Sequence, residues 1–280
     1  MIHNTFIMKH TTKKTSKLLE ALKEFYPDSS NRTLQSWITH RRVLVNDQVV
    51  KKPHFIVEKD RVITITKKDL SPLPILYKDH HLVVIDKPDG LLSVPKDFSS
   101  EKNALETVKD FLFDEDIYPV HRLDQKTSGL LIFARTKTCA KLLSKAFKEH
   151  LVKRTYYAVC EGSIKKEKGT IKSFVQEQKN FNMRSVSSEY GKKAITHYQV
   201  VKKGPYTTHV KLQLETGKKH QIRLHMQELG HPILADKRYG SLHNPIKRLC
   251  LHAMELEFTH PINGKKLQFS SPIPNNFKRI

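Results

Sequence analysis

The stretch HRLDQKTSGLLIFART, residues 121–136, places one carboxylate, Asp124, between two basic side chains and a Thr-Ser-Gly turn that opens an apolar run. An ionised carboxylate in such a setting can act as a nucleophile or as a general base. It could equally brace or cap the turn, because Asp commonly accepts hydrogen bonds from nearby backbone amides. The segment taken alone leaves both interpretations open.

The composition favours a polyanionic partner. The chain of 280 residues holds 50 Lys and Arg against 28 Asp and Glu, a formal net charge of +22 at pH 7. Residues 1–70 carry 14 basic and 7 acidic side chains and residues 71–280 carry 36 and 21, so the excess is spread over the whole chain. Such an excess attracts nucleic acid and raises the rate of encounter with it. The alternative is a cationic surface that serves only solubility.

Several other function classes lack the motifs they need. The 16 histidines show no H-E-x-x-H or Cys/His ligand spacing, and the 3 cysteines stand singly, so we expect no metal site and no disulfide framework. There is no G-x-x-x-x-G-K-[ST] loop and no G-x-G-x-x-G turn, and we therefore expect no nucleotide cofactor. HRLD has one residue too many for the H-R-D loop of kinases. A base deaminase would need zinc ligands that are missing here.

Nothing in the sequence indicates a membrane protein or an exported one. No apolar stretch approaches the length of about 18 residues that a membrane span requires. The first residues, MIHNTFIMKHTTKK, lack the apolar core of a signal peptide. We therefore expect a cytoplasmic protein. We favour a monomer, although the sequence does not fix the oligomeric state.

Residues 1–70 predict a small basic module. Apolar residues recur at helical spacing in residues 15–25 behind a Thr or Ser cap, and a second helix is predicted to begin near Ser30 or Asn31. The run RRVLVNDQVVKK then gives two β-branched segments around an Asn-Asp turn, and RVITIT completes the module. An ordinary helix-and-hairpin domain with a solvated charged face would also fit this pattern.

The order of these elements, and RVLVNDQVV in particular, resembles the S4 RNA-binding domain. Members of that family usually carry Gly where this chain has Asp47. The resemblance implies that residues 1–70 form an RNA-binding domain. From their place around the second helix and the hairpin, we also expect RNA contacts from Arg32, Arg41 and Arg42.

The prolines of KKDLSPLPILYKDHH predict an extended linker, with the domain boundary near residue 71. Beyond it we expect two helices, around residues 139–151 and 219–228. Strands outnumber them, and the predicted strands are 81–87, 129–135, 155–162, 194–201, 208–216, 250–258 and 265–271. Because strands and helices do not alternate regularly, we expect residues 71–280 to form an α+β domain on a mixed, mainly antiparallel sheet.

HRLDQKTSGLLIFART closely resembles the H-R-L-D-x-x-T-S-G signature of the RluA family of RNA pseudouridine synthases, whose members include RluC and RluD. Three further stretches agree with that family in order and spacing, namely VVIDKPDGLLSVP, KRTYYAVCEG and LETGKKHQIRLHMQELGHPILADKRYG. The resemblance covers residues 73 to about 280. It implies a pseudouridine synthase fold that isomerises selected uridines of structured RNA without a cofactor.

The resemblance also implies roles for individual residues. Asp124 matches the catalytic aspartate, Tyr156 the tyrosine that packs on the uracil, and Arg223 the arginine paired with the aspartate. Arg122 matches the residue that helps to hold the target nucleotide out of the RNA stack, whereas the neighbouring Tyr157 is expected to point into the core. From nearby basic residues we expect further substrate or RNA contacts, namely from His121, Lys87, Lys218 and His220.

These residue types also suit an isomerisation on physical grounds. Converting uridine to its carbon-linked isomer conserves every atom, so the reaction needs no cofactor. A carboxylate that stays ionised in a dry cavity needs a cation beside it, because desolvation alone raises its pKa. The planar guanidinium of Arg223 is suited to that task. Two departures from the family pattern, Lys218 in place of Arg and Ala235 in place of Gly, leave Asp124 and Tyr156 untouched.

An S4-like domain joined to this catalytic type favours large-subunit (23S) ribosomal RNA as the substrate, with transfer RNA as the alternative. A rival hypothesis from another class is a protein that binds RNA during ribosome assembly without catalysis. The combined presence of Asp124, Tyr156 and Arg223 argues against that rival, since binding alone would need no such set.

Overall fold

The structure, a computed structural model, describes residues 6–39, 41–66, 73–96, 101–112 and 114–280. The chain divides into two compact units, residues 1–72 with 110–114 and residues 73–109 with 115–280. The predicted boundary near residue 71 lies outside the described residues. None of the helices in the described ranges is long and apolar enough to cross a membrane.

The first unit combines two helices with short strands. In chain order they are β1 (Phe6–Thr11), β2 (Ser16–Lys17), α1 (Leu18–Phe25), α2 (Asn31–Thr39), β3 (Val43–Val45), β4 (Gln48–Val49), β5 (Ile56–Val57) and β6 (Val62–Thr66). Four strands form a sheet in the order β1-β6-β3-β4, and β2 pairs with β5. Both helices bury apolar side chains, among them Leu22 and Ile38, in one core with Ile63 of β6.

The first helix begins later than predicted. The two residues before Leu18 form β2, so α1 does not start behind a Thr or Ser cap, and that part of the prediction is wrong. At the start of the helix the backbone N–H of Lys17 donates to the carboxylate of Glu20 at 3.3 Å. The side chain of Glu20 thus satisfies the backbone amide of the residue that precedes the helix.

The second helix begins where it was predicted to begin. Its first residue is Asn31, and the hydroxyl of Ser30 accepts a hydrogen bond from the backbone N–H of Thr33 at 3.1 Å. This is the contact by which a Ser at the cap position stabilises the first turn of a helix.

The Asn-Asp turn joins β3 to β4 as predicted. Asn46 and Asp47 have φ values of 47° and 63°, so both lie in the left-handed region that two-residue hairpin turns require. Gly adopts that region freely, and Asn and Asp adopt it with less strain than other residues. The Asp at position 47 is therefore compatible with a turn that usually carries Gly.

The chain from residue 73 onward is dominated by strands. Its elements are β7 (Ile75–Lys78), β8 (Leu82–Lys87), α3 (Ala104–Leu112), β9 (Tyr118–Pro119), β10 (Ser128–Ala134), α4 (Lys137–Lys148), β11 (Lys153–Glu161), β12 (Lys168–Glu177), β13 (Met183–Val186), β14 (Lys192–Lys203), β15 (Thr207–Leu214), α5 (Gln221–Glu228), β16 (Leu251–Thr259) and β17 (Lys266–Ser270). All seven predicted strands and both predicted helices form, with ends shifted by a few residues. β7 lies in the segment predicted to be a linker, and the hairpin of β12 and β13 was not predicted.

One large sheet organises the second unit. Its strand order is β13-β12-β14-β15-β11-β16-β10-β8-β7, with β17 paired to β16 and β9 paired to β10. The strands pair antiparallel except for β10 and β16, which pair in parallel. The predicted α+β fold with a mixed, mainly antiparallel sheet is confirmed.

The strand that follows the Asp124 loop lies at the centre of the core. Every residue of β10 is buried, and Leu130 and Ile132 pack with Cys139 and Leu143 of α4. Burial of this kind contributes roughly 1.5–3 kcal/mol for each large aliphatic side chain. The loop is therefore attached to a strand that is buried along its whole length.

Candidate active site

Three segments of the second unit meet at one open cavity: the loop before β10, the middle of β11 and the start of α5. The cavity has about 380 Å³ of empty space, which includes open solvent at its mouth. Six residues selected from the sequence line it, namely Arg122, Asp124, Tyr156, Lys218, His220 and Arg223. Side chains that are far apart in the sequence are thus brought together.

Asp124 presents its carboxylate to this cavity. Its side chain is 23% exposed, and Oδ2 lies 3.4 Å from Nη1 of Arg223 and 3.8 Å from Nε2 of His220. The backbone carbonyl of Asp124 accepts a hydrogen bond from the N–H of Thr127 at 3.0 Å. The backbone of Asp124 therefore braces the turn while its side chain stays open toward the cavity.

Arg223 is fixed by a second carboxylate. Its Nε and Nη2 each donate to an oxygen of Asp236 at 2.7 Å, and its guanidinium lies 4.9 Å from the centre of the Tyr239 ring. Burial lowers the pKa of Arg223, but the hydrogen bonds and charge of Asp236 and the charge of Asp124 outweigh burial and raise it above the usual range. The guanidinium is permanently charged, and its remaining Nη1 faces Asp124.

His220 adds a neutral group to the same wall. Its Nδ1 lies 2.9 Å from the hydroxyl of Tyr239, and its φ of 52° places it in the left-handed region just before α5. Burial lowers the pKa of His220 to about 4, with the attraction of Asp124 opposed by nearby cations. The ring is therefore uncharged near neutral pH and can exchange hydrogen bonds without adding charge.

Two adjacent tyrosines on β11 have different surroundings. Tyr156 lines the cavity and is 7% exposed, and burial raises the pKa of its hydroxyl, so the hydroxyl keeps its proton near neutral pH. Tyr157 points to the opposite face of the strand, where its hydroxyl lies 2.9 Å from Nδ1 of the buried His209. The expectation that Tyr157 lies in the core is confirmed.

The Asp124 loop is held from behind by the segment after β8. The hydroxyl of Ser93 donates to the carbonyl of Leu123 at 2.8 Å and accepts from its N–H at 3.0 Å. The side chain of Lys87 is fully buried and donates to three backbone carbonyls, among them that of Gln125 at 3.2 Å. Because these bonds use all three ammonium hydrogens, the predicted RNA contact of Lys87 is wrong, and this lysine instead positions the loop.

His121 is also occupied within the fold. Its Nε2 accepts a hydrogen bond from the backbone N–H of Ile132 at 3.0 Å, and its ring stacks on Phe147 with 4.5 Å between centres. Burial lowers the pKa of His121 to about 3, so the ring is uncharged. The structure assigns it to anchoring the loop on β10 instead of the predicted RNA contact.

The glycine of the Thr-Ser-Gly turn is required by close packing. Gly129 has a φ of 113° and pairs with Ala253 where β10 meets β16. A Cβ at this position would lie 2.2 Å from the carbonyl oxygen of Ala253. Only Gly allows the two strands to approach this closely.

The three arginines predicted to contact RNA from the first unit differ in exposure. Arg32 is exposed on α2. Arg42 is half-buried, donates from Nε to the carbonyl of Thr66 at 3.0 Å and lies over the ring of Trp37. Arg41 is only 6% exposed, which conflicts with the RNA contact predicted for it.

Three site residues were missed by the sequence reasoning: Asp236, Tyr239 and Gln221. The side-chain oxygen of Gln221 accepts from the hydroxyl of Thr216 at 2.8 Å and from the N–H of Lys218 at 3.0 Å, which closes the loop before α5. All three lie in the last family motif, so that motif was the available signal. The spacing alone did not indicate which side chains face Arg223.

The comparisons with known proteins agree with this geometry. Residues 81–228 match the family model described as RNA pseudouridylate synthase, and residues 18–63 match the S4 domain. The chain is 42% identical over 206 residues to the dual-specificity RNA pseudouridine synthase RluA of Pasteurella multocida, covering 71% of this chain and 93% of that protein. It is 34% identical over 286 residues to the ribosomal large subunit pseudouridine synthase D of Nitrosomonas europaea, covering 94% of this chain and 83% of that protein.

A solved structure agrees as well. The human RNA Pseudouridylate Synthase Domain Containing 1 matches with a TM-score of 0.61 at 26% identity, over 72% of this chain and 84% of that chain. The fold and the matched models define an RNA-modifying isomerase that carries an S4 domain. The chain belongs to the RNA pseudouridine synthase family, in its RluA branch.

Proposed function

We propose that this enzyme converts selected uridines of large-subunit (23S) ribosomal RNA to pseudouridine, with Asp124 as the catalytic carboxylate. One observation carries the chemical part of this proposal. Oδ2 of Asp124 lies 3.4 Å from Nη1 of Arg223 inside a cavity that Tyr156 also lines. This arrangement supplies a carboxylate, its counter-ion and an aromatic wall around one open cavity.

The reaction is an internal exchange of bonds. The bond between ribose C1′ and uracil N1 breaks, the base turns, a bond between C1′ and C5 forms, and the C5 hydrogen leaves as a proton while N1 gains one. Asp124 forms or promotes the transient adduct while the base is detached. Arg223 favours the ionised carboxylate, because an opposite charge at this distance offsets the effect of desolvation.

Tyr156, two cations and the neutral His220 hold the displaced nucleotide. Removing a base from an RNA helix costs a few kcal/mol, which stacking on an aromatic ring helps to offset. We assign that stacking to Tyr156. We assign contacts with the surrounding RNA to the exposed Arg122 and to Lys218 and His220.

The choice of ribosomal RNA is supported by the lengths of the relatives. The ribosomal large subunit pseudouridine synthase D aligns over 94% of this chain. The RluA relative aligns over 93% of its own length but only 71% of this chain, so it has no counterpart to a segment about as long as the first unit. Transfer RNA remains the second candidate from the sequence resemblance, and the higher identity of 42% is to a relative named for dual specificity and not for the large ribosomal subunit.

We assign RNA binding to residues 1–70, with Arg32 and Arg42 as contacts. The S4 match and the excess of basic residues support this assignment. Removing residues 1–70 should lower RNA affinity or shift the choice of sites, while the intrinsic chemistry on a short RNA persists. If the shortened chain does not fold, the boundary near residue 71 is misplaced.

The proposed function is tested by mapping pseudouridine in total RNA from cells without the gene, complemented with the wild type or with Asp124→Asn. Specific sites in 23S RNA should vanish on deletion and return only with the wild type. Asp60→Asn, which changes an exposed carboxylate of the first unit, should restore them fully. If sites are lost only from transfer RNA, transfer RNA and not 23S RNA is the substrate. Restoration by Asp124→Asn, or no change at all, would leave the non-catalytic assembly factor as the better hypothesis.

A further inference from the structure

A buried cation without an anionic partner stands beside the cavity. Arg154 precedes Tyr156 by two residues on β11, so both side chains lie on the same face of the sheet. Arg154 is only 9% exposed, and its Nε is buried without a hydrogen-bond partner. Within the described part of the chain, its guanidinium takes part in no hydrogen bond or ion pair.

The guanidinium lies between α4 and the loop before α5. It lies over the ring of Phe147, 5.6 Å from the ring centre. Its Nη1 lies against Gly217, where a Cβ would be only 2.5 Å away. The next residue, Lys218, lines the cavity. Burial raises the pKa of Tyr156 and the charge of Arg154 opposes that rise, which is consistent with their closeness.

Neighbouring cations, unlike Arg154, have acidic partners. Arg223 is equally buried, at 7% exposed, but is paired with Asp236. Lys153, the previous residue on the strand, pairs with Glu257 at 3.0 Å, and Lys219 pairs with Glu177. A charge removed from water without a partner is strongly unfavourable. A buried polar group left unsatisfied in this way calls for an explanation, and an anion bound beside it is one.

We propose that Arg154 and Lys218 form a phosphate subsite that holds the RNA backbone at the target uridine. This inference rests on the proposed function and deepens it by naming the group that fixes the substrate. A guanidinium offers a planar fork to two phosphate oxygens, and an ammonium adds a point charge. The N–H of Lys218 is bonded to the side chain of Gln221 at 3.0 Å, so the loop is already fixed. A phosphate bound there lies beside the aromatic wall of Tyr156.

The subsite can be tested without knowing the RNA. The full-length protein is titrated with uridine, uridine 3′-monophosphate and uridine 5′-monophosphate, and the dissociation constants are measured by NMR chemical shifts. At least one monophosphate should bind ten or more times more tightly than uridine. Arg154→Met should reduce that preference to less than twofold while leaving the affinity for uridine unchanged. Arg154→Lys, which keeps the charge and loses the fork, should give an intermediate preference.

The matched control is Lys153→Met, on the same strand but facing the opposite way, which should keep the full preference. Thermal unfolding separates binding from a structural role: the Tm of Arg154→Met should equal or exceed that of the wild type, because an unpaired buried charge is removed.

The subsite is refuted if wild type binds neither monophosphate more tightly than uridine, or if Arg154→Met keeps the preference. It is equally refuted if neither Arg154 variant folds. A retained preference in a protein that modifies no RNA would overturn the proposed function and leave the subsite standing.

Discussion

The carboxylate of Asp236 lies 2.7 Å from both Nε and Nη2 of Arg223, whereas the carboxylate of Asp124 lies 3.4 Å from Nη1 of the same guanidinium. Asp236 is 2% exposed and Asp124 opens into the cavity. The bidentate pair thus fixes the plane of the guanidinium from behind. One side of Arg223 is left for the carboxylate that faces the substrate.

Asp236→Asn should therefore impair catalysis without touching the cavity. We expect kcat to fall about 100-fold, because a small displacement of Arg223 disturbs the reacting geometry. The free energy of unfolding should fall by about 3–5 kcal/mol, since a buried cation loses its charged partner. Release of tritium from C5-labelled RNA and urea unfolding measure the two effects. Glu257→Gln, which breaks an exposed ion pair with Lys153, should leave the rate unchanged and cost at most about 1 kcal/mol.

Ala235→Gly should stabilise the protein. Ala235 has a φ of 66°, where a Cβ costs about 1–2 kcal/mol. Gly relieves that strain, but it also increases the conformational entropy of the unfolded chain, which lowers the stability by about 0.4–1 kcal/mol. A net gain of about 0.5–1 kcal/mol in the free energy of unfolding is expected from urea titration. The same change at Ala140, inside α4, should instead destabilise by about 1 kcal/mol. A loss of stability at position 235 would contradict the strain argument.

Gly129→Ala should prevent β10 and β16 from pairing. The new methyl group would lie 2.2 Å from the carbonyl oxygen of Ala253, and the backbone must separate to admit it. We expect a loss above about 4 kcal/mol, seen as insoluble protein or as a much lower Tm. Gly90→Ala is the matched control, because it also has a positive φ, of 81°, but meets nothing within 4 Å. It should cost only about 1–2 kcal/mol of backbone strain.

Stability should fall in mild acid because of His225. Burial lowers the pKa of this residue from 6.5 to about 4, while its ring bonds to the hydroxyls of Thr196 and Ser173. As the pH falls, His225 is protonated in the unfolded chain before it is protonated in the folded one. The stability that the neutral ring contributes is therefore complete above pH 6.5 and is lost as the pH falls toward 4. The loss should reach about 3 kcal/mol at most. In urea titrations at several pH values, His225→Gln should reduce this slope without abolishing it, because His121 and His220 contribute in the same pH range. The exposed His54→Gln should leave the slope unchanged.

The parts of the site that follow from local sequence were predictable. Asp124, Tyr156 and Arg223 stand in three separate motifs, and the structure brings them to one cavity as those motifs imply. Lys87 and His121 were assigned to RNA because their types suit phosphate. A sequence does not show which way a side chain points, and both turn inward to anchor the Asp124 loop.

The elements and contacts that the sequence reasoning missed depend mainly on contacts that form only in the folded chain. β12 is largely exposed, and its residues KGTIKSFVQE lack a clear apolar alternation, so its strand character comes from pairing with β14 and β13. α3 did carry a usable signal, because the side chain of Asn103 accepts from the backbone N–H of Glu106 at 2.9 Å and caps the helix. Asp236 could not be selected as the partner of Arg223, since that contact exists only in the folded unit.

The parallel pair of β10 and β16 joins Ser128 to His252, positions separated by 124 residues. During synthesis, the loop that carries Asp124 leaves the ribosome long before the strand against which Gly129 must rest. Contacts of such long range form late and slowly. A chain interrupted before residue 251 would contain Asp124, Tyr156 and Arg223 and still lack the strand that completes their sheet. A product of that length lacks the strand against which Gly129 packs, and we expect it to be inactive.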